Sequence, residues 1–293
     1  MNTKSSLVKR YPLVFFFALA FLLTWANWLP RAAADRGLFD IKVPGFVELI
    51  AGYGPALAAI SVAGLAHGRD GLRRLFAGLA RWRVGLRWYL AALLIPPAIQ
   101  FGALGLHLLL SGEPFRTAGT AQLPFMPDGL PLWGQVLVLF LIFVLGFDGL
   151  GEELGWRGYA LPRLQEKRSA LLSSLILGVF WALWHLPYML SARSALEGRP
   201  FILFLLNVLG LSILFTWIYN NTRGSTLLAI LVHAAGNTTG TLLGALVPAA
   251  GDPRVYAFST GLTWLLVLVV LLRRQGFEET GFAAGQTSLG DSA

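Results

Sequence analysis

The sequence contains no cysteine, which excludes disulfides, thiolate metal ligands and a cysteine nucleophile. Charge is nearly as scarce. Asp, Glu, Lys and Arg make up 13% of the 293 residues, against about 25% in a soluble domain, so the chain lacks the polar coat a water-soluble fold requires. The HExxH pattern of zinc proteases is absent. No internal repeat and no separate soluble stretch appear. What fills the chain instead is apolar: 56% hydrophobic residues and a mean hydropathy of +0.64. These features define an all-α, polytopic integral membrane protein with about eight transmembrane helices.

A span needs about 20 mostly apolar residues. Eight segments qualify: 12–30, 45–66, 88–110, 132–150, 169–190, 201–220, 226–247 and 255–272. The first follows a basic "KSSLVKRYP" and precedes "RAAADRG", a pattern that also permits signal-peptide cleavage. Its length and flanking tryptophans favour a retained span. Residues 1–274 read as one transmembrane domain with its functional core at about 130–247, and 275–293 as a disordered cytoplasmic tail.

The net charge of +8 follows the loops rather than a nucleic-acid-binding stripe. With both termini cytoplasmic, 16 lysines and arginines fall inside and 7 outside, which favours this orientation. Within "DGLRRLFAGLARW", Leu72, Leu75, Phe76, Leu79 and Trp82 recur at helical spacing among arginines. That pattern suits a helix lying in the headgroup layer or a basic loop fixing topology.

An ionisable group inside a bilayer costs about 2.5–3.5 kcal/mol, so those that remain carry information: Glu48, His107, Asp148, Glu152, Glu153, Arg157, His185 and His233, with Asn237 beside them. In "EELGWR", Glu153 and Arg157 lie four apart, share a helix face and can pair. Glu152 points about 100° away and is left available. The turn "QEKRS" lies midway between Glu152 and His185. An antiparallel hairpin would therefore set each about 25 Å along its helix from that turn, facing one another. The fourth helix must then continue past Leu150, with a tilt or break near "GFDGLG", where glycines allow close helix approach. His233 and Asn237 share a face in "HAAGN". Taken separately, each group is equally explained as a span-ending charge cluster or as helix–helix glue.

Together they suggest hydrolysis of an acyl bond within the membrane. A carboxylate in apolar surroundings can act as general base on water. His185 could share that water or pass its proton on, and His233 and Asn237 could donate to an oxyanion.

"EELGWR" fits the motif EExxxR, "WALWH" resembles FxxxH with Trp181 in place of Phe, and "HAAGN" fits HxxxN. The ordered trio resembles the CPBP family of intramembrane proteases, which includes the CAAX prenyl endopeptidases of the Ras-converting type and bacteriocin-processing relatives; "EELGWRGYALPRLQ" is similar to its bacterial branch. The resemblance implies eight helices around a cavity open to the cytoplasm. It implies catalytic roles for Glu152, His185, His233 and Asn237 and supporting roles for Glu153, Arg157 and Trp181. The substrate it implies is a membrane-tethered peptide, with or without a lipid, and its bacterial branch implies the plasma membrane of a prokaryote. The Trp181 departure is expected to bear on packing more than on chemistry.

No cofactor is expected. Glu152, His185 and His233 could form an open zinc site, but Arg157 would oppose the cation, which favours metal-independent glutamate catalysis. Two other functions fit less well: a non-catalytic scaffold or bacteriocin-immunity protein, and a proton-coupled transporter, which would show paired repeats. Glu48 and His107 are expected to be structural, and Asp148 to lie behind Glu152.

Overall fold

In hydrocarbon a chain must satisfy its own N–H and C=O groups, and the apolar runs accordingly fold as helices. The computed structural model describes residues 3–38, 51–119, 122–124, 126–146, 148–192, 194–273 and 277. Short α1 (Thr3–Arg10) leads into α2 (Pro12–Asp35), followed by α3 (Gly54–Ala77), α4 (Leu86–Ser111) and α5 (Leu132–Leu145). After α6 (149–165) come α7 (Ala170–Trp184), α8 (Phe201–Asn221), α9 (Thr226–Leu246) and α10 (Pro253–Leu272). Starts are set by local chemistry. Proline occupies the first turns of α2, α3 and α10, where its missing N–H costs nothing. Ser169 and Ser225 cap α7 and α9 by accepting from Leu172 and Leu228 N–H.

Among the described residues, six stretches are long and apolar enough to cross a membrane: α2, α4, the run 132–165 that takes in α5 and α6, α8, α9 and α10. The other two expected spans are altered. The run 169–190 becomes the 15-residue α7, which stops at Trp184; about 22 Å of helix is short for a hydrocarbon core of about 30 Å. His185 occupies its end, and Leu186–Met189 adds a single turn. Of the run 45–66, residues 45–50 (with Glu48) lie outside the described residues, and the remainder opens α3, which runs on to Ala77. The segment read as a surface amphipathic helix is thus partly the continuation of α3. It is redirected at Gly68, whose φ of 57° glycine tolerates. Leu75 is buried and Leu72 packs on the core, while Phe76 and Trp82 face outward. The expected tail 275–293 lies outside the described residues apart from Phe277.

The break expected in "GFDGLG" is present: α5 ends at Leu145, Gly146 is extended (φ −82°, ψ −162°), and the helix resumes at Gly149. The restarted helix presses on the start of α3. A Cβ on Gly151 would lie 2.9 Å from the Gly52 carbonyl oxygen, and one on Gly155 2.6 Å from Pro55. This is the small-xxx-small contact that brings membrane helices together. Beyond it, residues Trp156–Ala160 form a π-helical turn before the α-helical turn Leu161–Gln165; such turns are rare and frequent at functional sites.

One core joins α1, α2, α3, α4, α6, α7, α8 and α9. Phe16 of α2, fully buried, meets Trp156 and Tyr159 edge-on and tilted, so the first long helix is integral to the fold. Outward, Val14, Leu22, Leu94, Leu109, Leu137, Leu141, Ile202, Leu265 and Leu268 are exposed. So extensive an apolar surface marks a molecule solvated by lipid.

Candidate active site

The polar residues of the sequence trio meet where α6, α7, α8 and α9 converge. Arg157 donates from Nη1 to both Glu153 oxygens, at 2.9 and 3.0 Å, with both side chains wholly buried. A buried charge is tolerable only when paired and well placed. Here the guanidinium is also held between two rings, 4.4 Å from the Trp181 centroid and 4.3 Å from that of Phe215, a cation–π arrangement strengthened by exclusion of water. The Glu153–Arg157 pair expected from i,i+4 spacing is therefore present, in a slot that α7 and α8 supply.

Glu153 also binds across to α9. Its Oε1 lies 2.8 Å from His233 Nδ1. A carboxylate only accepts, so Nδ1 carries the hydrogen and Nε2 faces the other way. Nε2 stands 4.0 Å from Glu152 Oε1. Glu153 thus fixes the ring of His233 as well as the charge of Arg157.

Glu152 is not the unengaged carboxylate expected from the helical wheel. Its Oε2 accepts from two indoles, Trp156 Nε1 at 3.1 Å and Trp181 Nε1 at 2.5 Å. Trp156 reaches it as the i+4 neighbour, and Trp181 reaches it from α7. With Oε2 so held, Oε1 is the oxygen turned to His233. Trp181 therefore touches the carboxylate directly, whereas its departure from Phe is expected to bear on packing more than on chemistry.

His185 stands differently from expectation. No hydrogen bond or ion pair joins it to Glu152 among the described residues. Its Nδ1 lies 2.8 Å from the Trp181 carbonyl oxygen, so Nδ1–H donates there. Its ring meets Trp184 at 4.7 Å and Phe204 at 5.4 Å. Trp181 thus links the two motif residues, with its indole on Glu152 and its carbonyl on His185. Asn237 is committed to a residue that had been placed behind the site: its Nδ2 donates to Asp148 Oδ2 at 2.8 Å.

Two contributors were missed, Trp156 and Phe215. Trp156 follows Glu152 by four residues, a helical signal available in the sequence. Phe215 carries no signal, since only the packing of α8 brings it to Arg157. Glu48 lies outside the described residues. His107 is buried apart from the cluster, with Nε2 3.9 Å from Glu113.

The zinc alternative finds a poor fit. Glu152 Oε2 is taken by two donors and His185 Nδ1 by a carbonyl. Among the described residues no three His, Cys, Asp or Glu side chains group as metal ligands.

Fold and site together define a class: a polytopic helical membrane protein that encloses carboxylates and imidazoles within its spans. Residues 133–239, which contain the whole cluster, match the Rce1-like type II CAAX prenyl endopeptidase family. A protein of Methanococcus maripaludis (strain DSM 14266) described as CAAX prenyl protease 2 is 28% identical over 209 residues, 68% of this chain and 70% of that protein. The central third of the chain is thus similar to this family of membrane proteases.

Proposed function

We propose that the chain is an intramembrane endopeptidase of the glutamate type. It hydrolyses a peptide bond in a membrane-tethered, lipidated peptide of the CAAX-like kind named in its relative's description. The observation that carries this reading is the asymmetric hold on Glu152: two indoles fix Oε2 and turn Oε1 toward His233 Nε2, 4.0 Å away.

In this mechanism Oε1 removes a proton from water, and the water oxygen attacks the scissile carbonyl carbon. His233, protonated on both ring nitrogens so that its Nε2–H is free, and the second Nδ2–H of Asn237 are the donors for the oxyanion that develops. The C–N bond then breaks as the amine takes the proton held by Glu152, with His185 assisting at the leaving group. Glu153 and Arg157 keep His233 oriented. Each of these groups is already fixed by another, which limits reorganisation during the reaction. The orientation we propose has both termini in the cytoplasm of a prokaryotic cell.

The test is a cleavage assay on the full chain in lipid nanodiscs, with a farnesylated C-terminal peptide and the same peptide unmodified. Mass spectrometry should find one internal cut in the lipidated peptide and little in the other. Failure to cut either, across several lipidated sequences, would remove the proposal.

A further inference from the structure

A second polar region lies at the opposite end of α6 from Glu152, outside the catalytic cluster. There α1, the start of α2, the end of α3 and the α6–α7 turn enclose a cavity of about 610 Å³. We propose that it holds the phosphate headgroup of an anionic phospholipid.

Cations dominate its lining: Lys9, Arg10, Arg74, Arg81, Arg163, Lys167 and Arg168 against the single carboxylate of Glu166. Two of them are parts of the wall. Arg81 donates to the carbonyls of Arg223 and Gly224, and Arg163 donates to the Tyr159 carbonyl while lying over its ring. Arg74, Lys167 and Arg168 are exposed and have no carboxylate partner among the described residues. Several cations facing one concavity create a potential that attracts an anion.

A buried group points to the same ligand. Thr226, at the start of α9, is wholly buried and lines the cavity. Its Oγ1 has no hydrogen-bond partner among the described residues. A buried hydroxyl without a partner is costly, and a phosphate oxygen is a strong acceptor for it.

The apolar lip favours a lipid over a free phosphate. Leu13 and Val14 also line it. Val14 is 64% exposed, as is Leu22, two helical turns further along the same face of α2. An acyl chain can follow that face while the headgroup sits among the cations, as basic pockets at membrane surfaces hold anionic lipids.

The test uses purified full-length protein in neutral detergent and native mass spectrometry. The probes are phosphatidylglycerol, phosphatidylcholine and, as headgroup alone, glycerol 3-phosphate. One phosphatidylglycerol should stay bound at concentrations where phosphatidylcholine does not. R74Q/K167Q/R168Q should weaken it at least tenfold. Thr226→Val, which keeps shape and charge, should weaken it about threefold. R83Q/R87Q/R273Q, removing equal charge outside the cavity, should leave it within twofold. Equal losses in the two triple variants, wild-type binding by Thr226→Val, or equal retention of phosphatidylcholine would overturn the site. Competition by glycerol 3-phosphate at the same concentration as phosphatidylglycerol would overturn the lipid assignment. Because none of these residues belongs to the catalytic cluster, the outcome stands apart from the proposed protease mechanism.

Discussion

Trp181→Phe tests the hold on Glu152 with little collateral damage. Trp181 does two jobs. Its ring face lies 4.4 Å from the Arg157 guanidinium, and its Nε1 donates to Glu152 Oε2 at 2.5 Å. Phenylalanine keeps an aromatic face for Arg157 and removes only the donor. A hydrogen bond to a charged group contributes about 1.5–3 kcal/mol. The Trp156 indole remains on the same oxygen at 3.1 Å, so the loss should fall near the lower end. At about 1.4 kcal/mol per decade, that is a fall in kcat of about tenfold. KM should stay within about twofold, since the indole touches the carboxylate rather than the peptide. Melting should change little, because the ring stack on Arg157 persists. The assay is steady-state cleavage of a quenched fluorescent lipidated peptide in nanodiscs, with thermal unfolding measured alongside. A variant with wild-type kcat would show that the indole does not orient the base. A variant whose KM rises while kcat is unchanged would place Trp181 on the substrate instead.

Other predictions follow from packing and topology. Arg157→Ala strands Glu153 in a dry core and should cost about 3–5 kcal/mol of stability, while Arg157→Lys should recover only part of it, since an ammonium cannot fill the flat slot between Trp181 and Phe215; denaturation in detergent reads both. Gly155→Ala puts a Cβ 2.6 Å from Pro55 and should destabilise by about 1–3 kcal/mol, seen as a lowered melting temperature, whereas an unchanged one would mean that α6 and α3 can part freely. The absence of cysteine makes single-cysteine labelling direct. In intact cells a membrane-impermeant maleimide should react at Arg254→Cys and spare Arg168→Cys, and the reverse pattern would invert the proposed orientation.

Much of this was legible in the sequence because a membrane imposes few choices. Apolar run length placed α2, α4, α8, α9 and α10, and the glycine density of "GFDGLG" located the break after Leu145. Spacing of four gave the Glu153–Arg157 pair. Counting rise along a hairpin gives depth but not azimuth, which is why Glu152 and His185 were set face to face when Trp181 mediates between them. The indole contact joins residues 29 apart in sequence, and the Phe215 face comes from yet another helix. Both depend on helix packing, which no local pattern encodes. The same holds for α7: its composition suits a full span, but the helix ends at Trp184, so His185 lies at a helix terminus rather than within one.

Glu152→Gln is the most direct test of the proposed chemistry. The amide keeps the size of the carboxylate and an oxygen for the two indoles, and it cannot take a proton from water. Turnover of the lipidated peptide should fall at least a thousandfold while the melting temperature stays within a few degrees of wild type. Cleavage by the folded variant at the wild-type rate would contradict the assignment of Glu152 as the base.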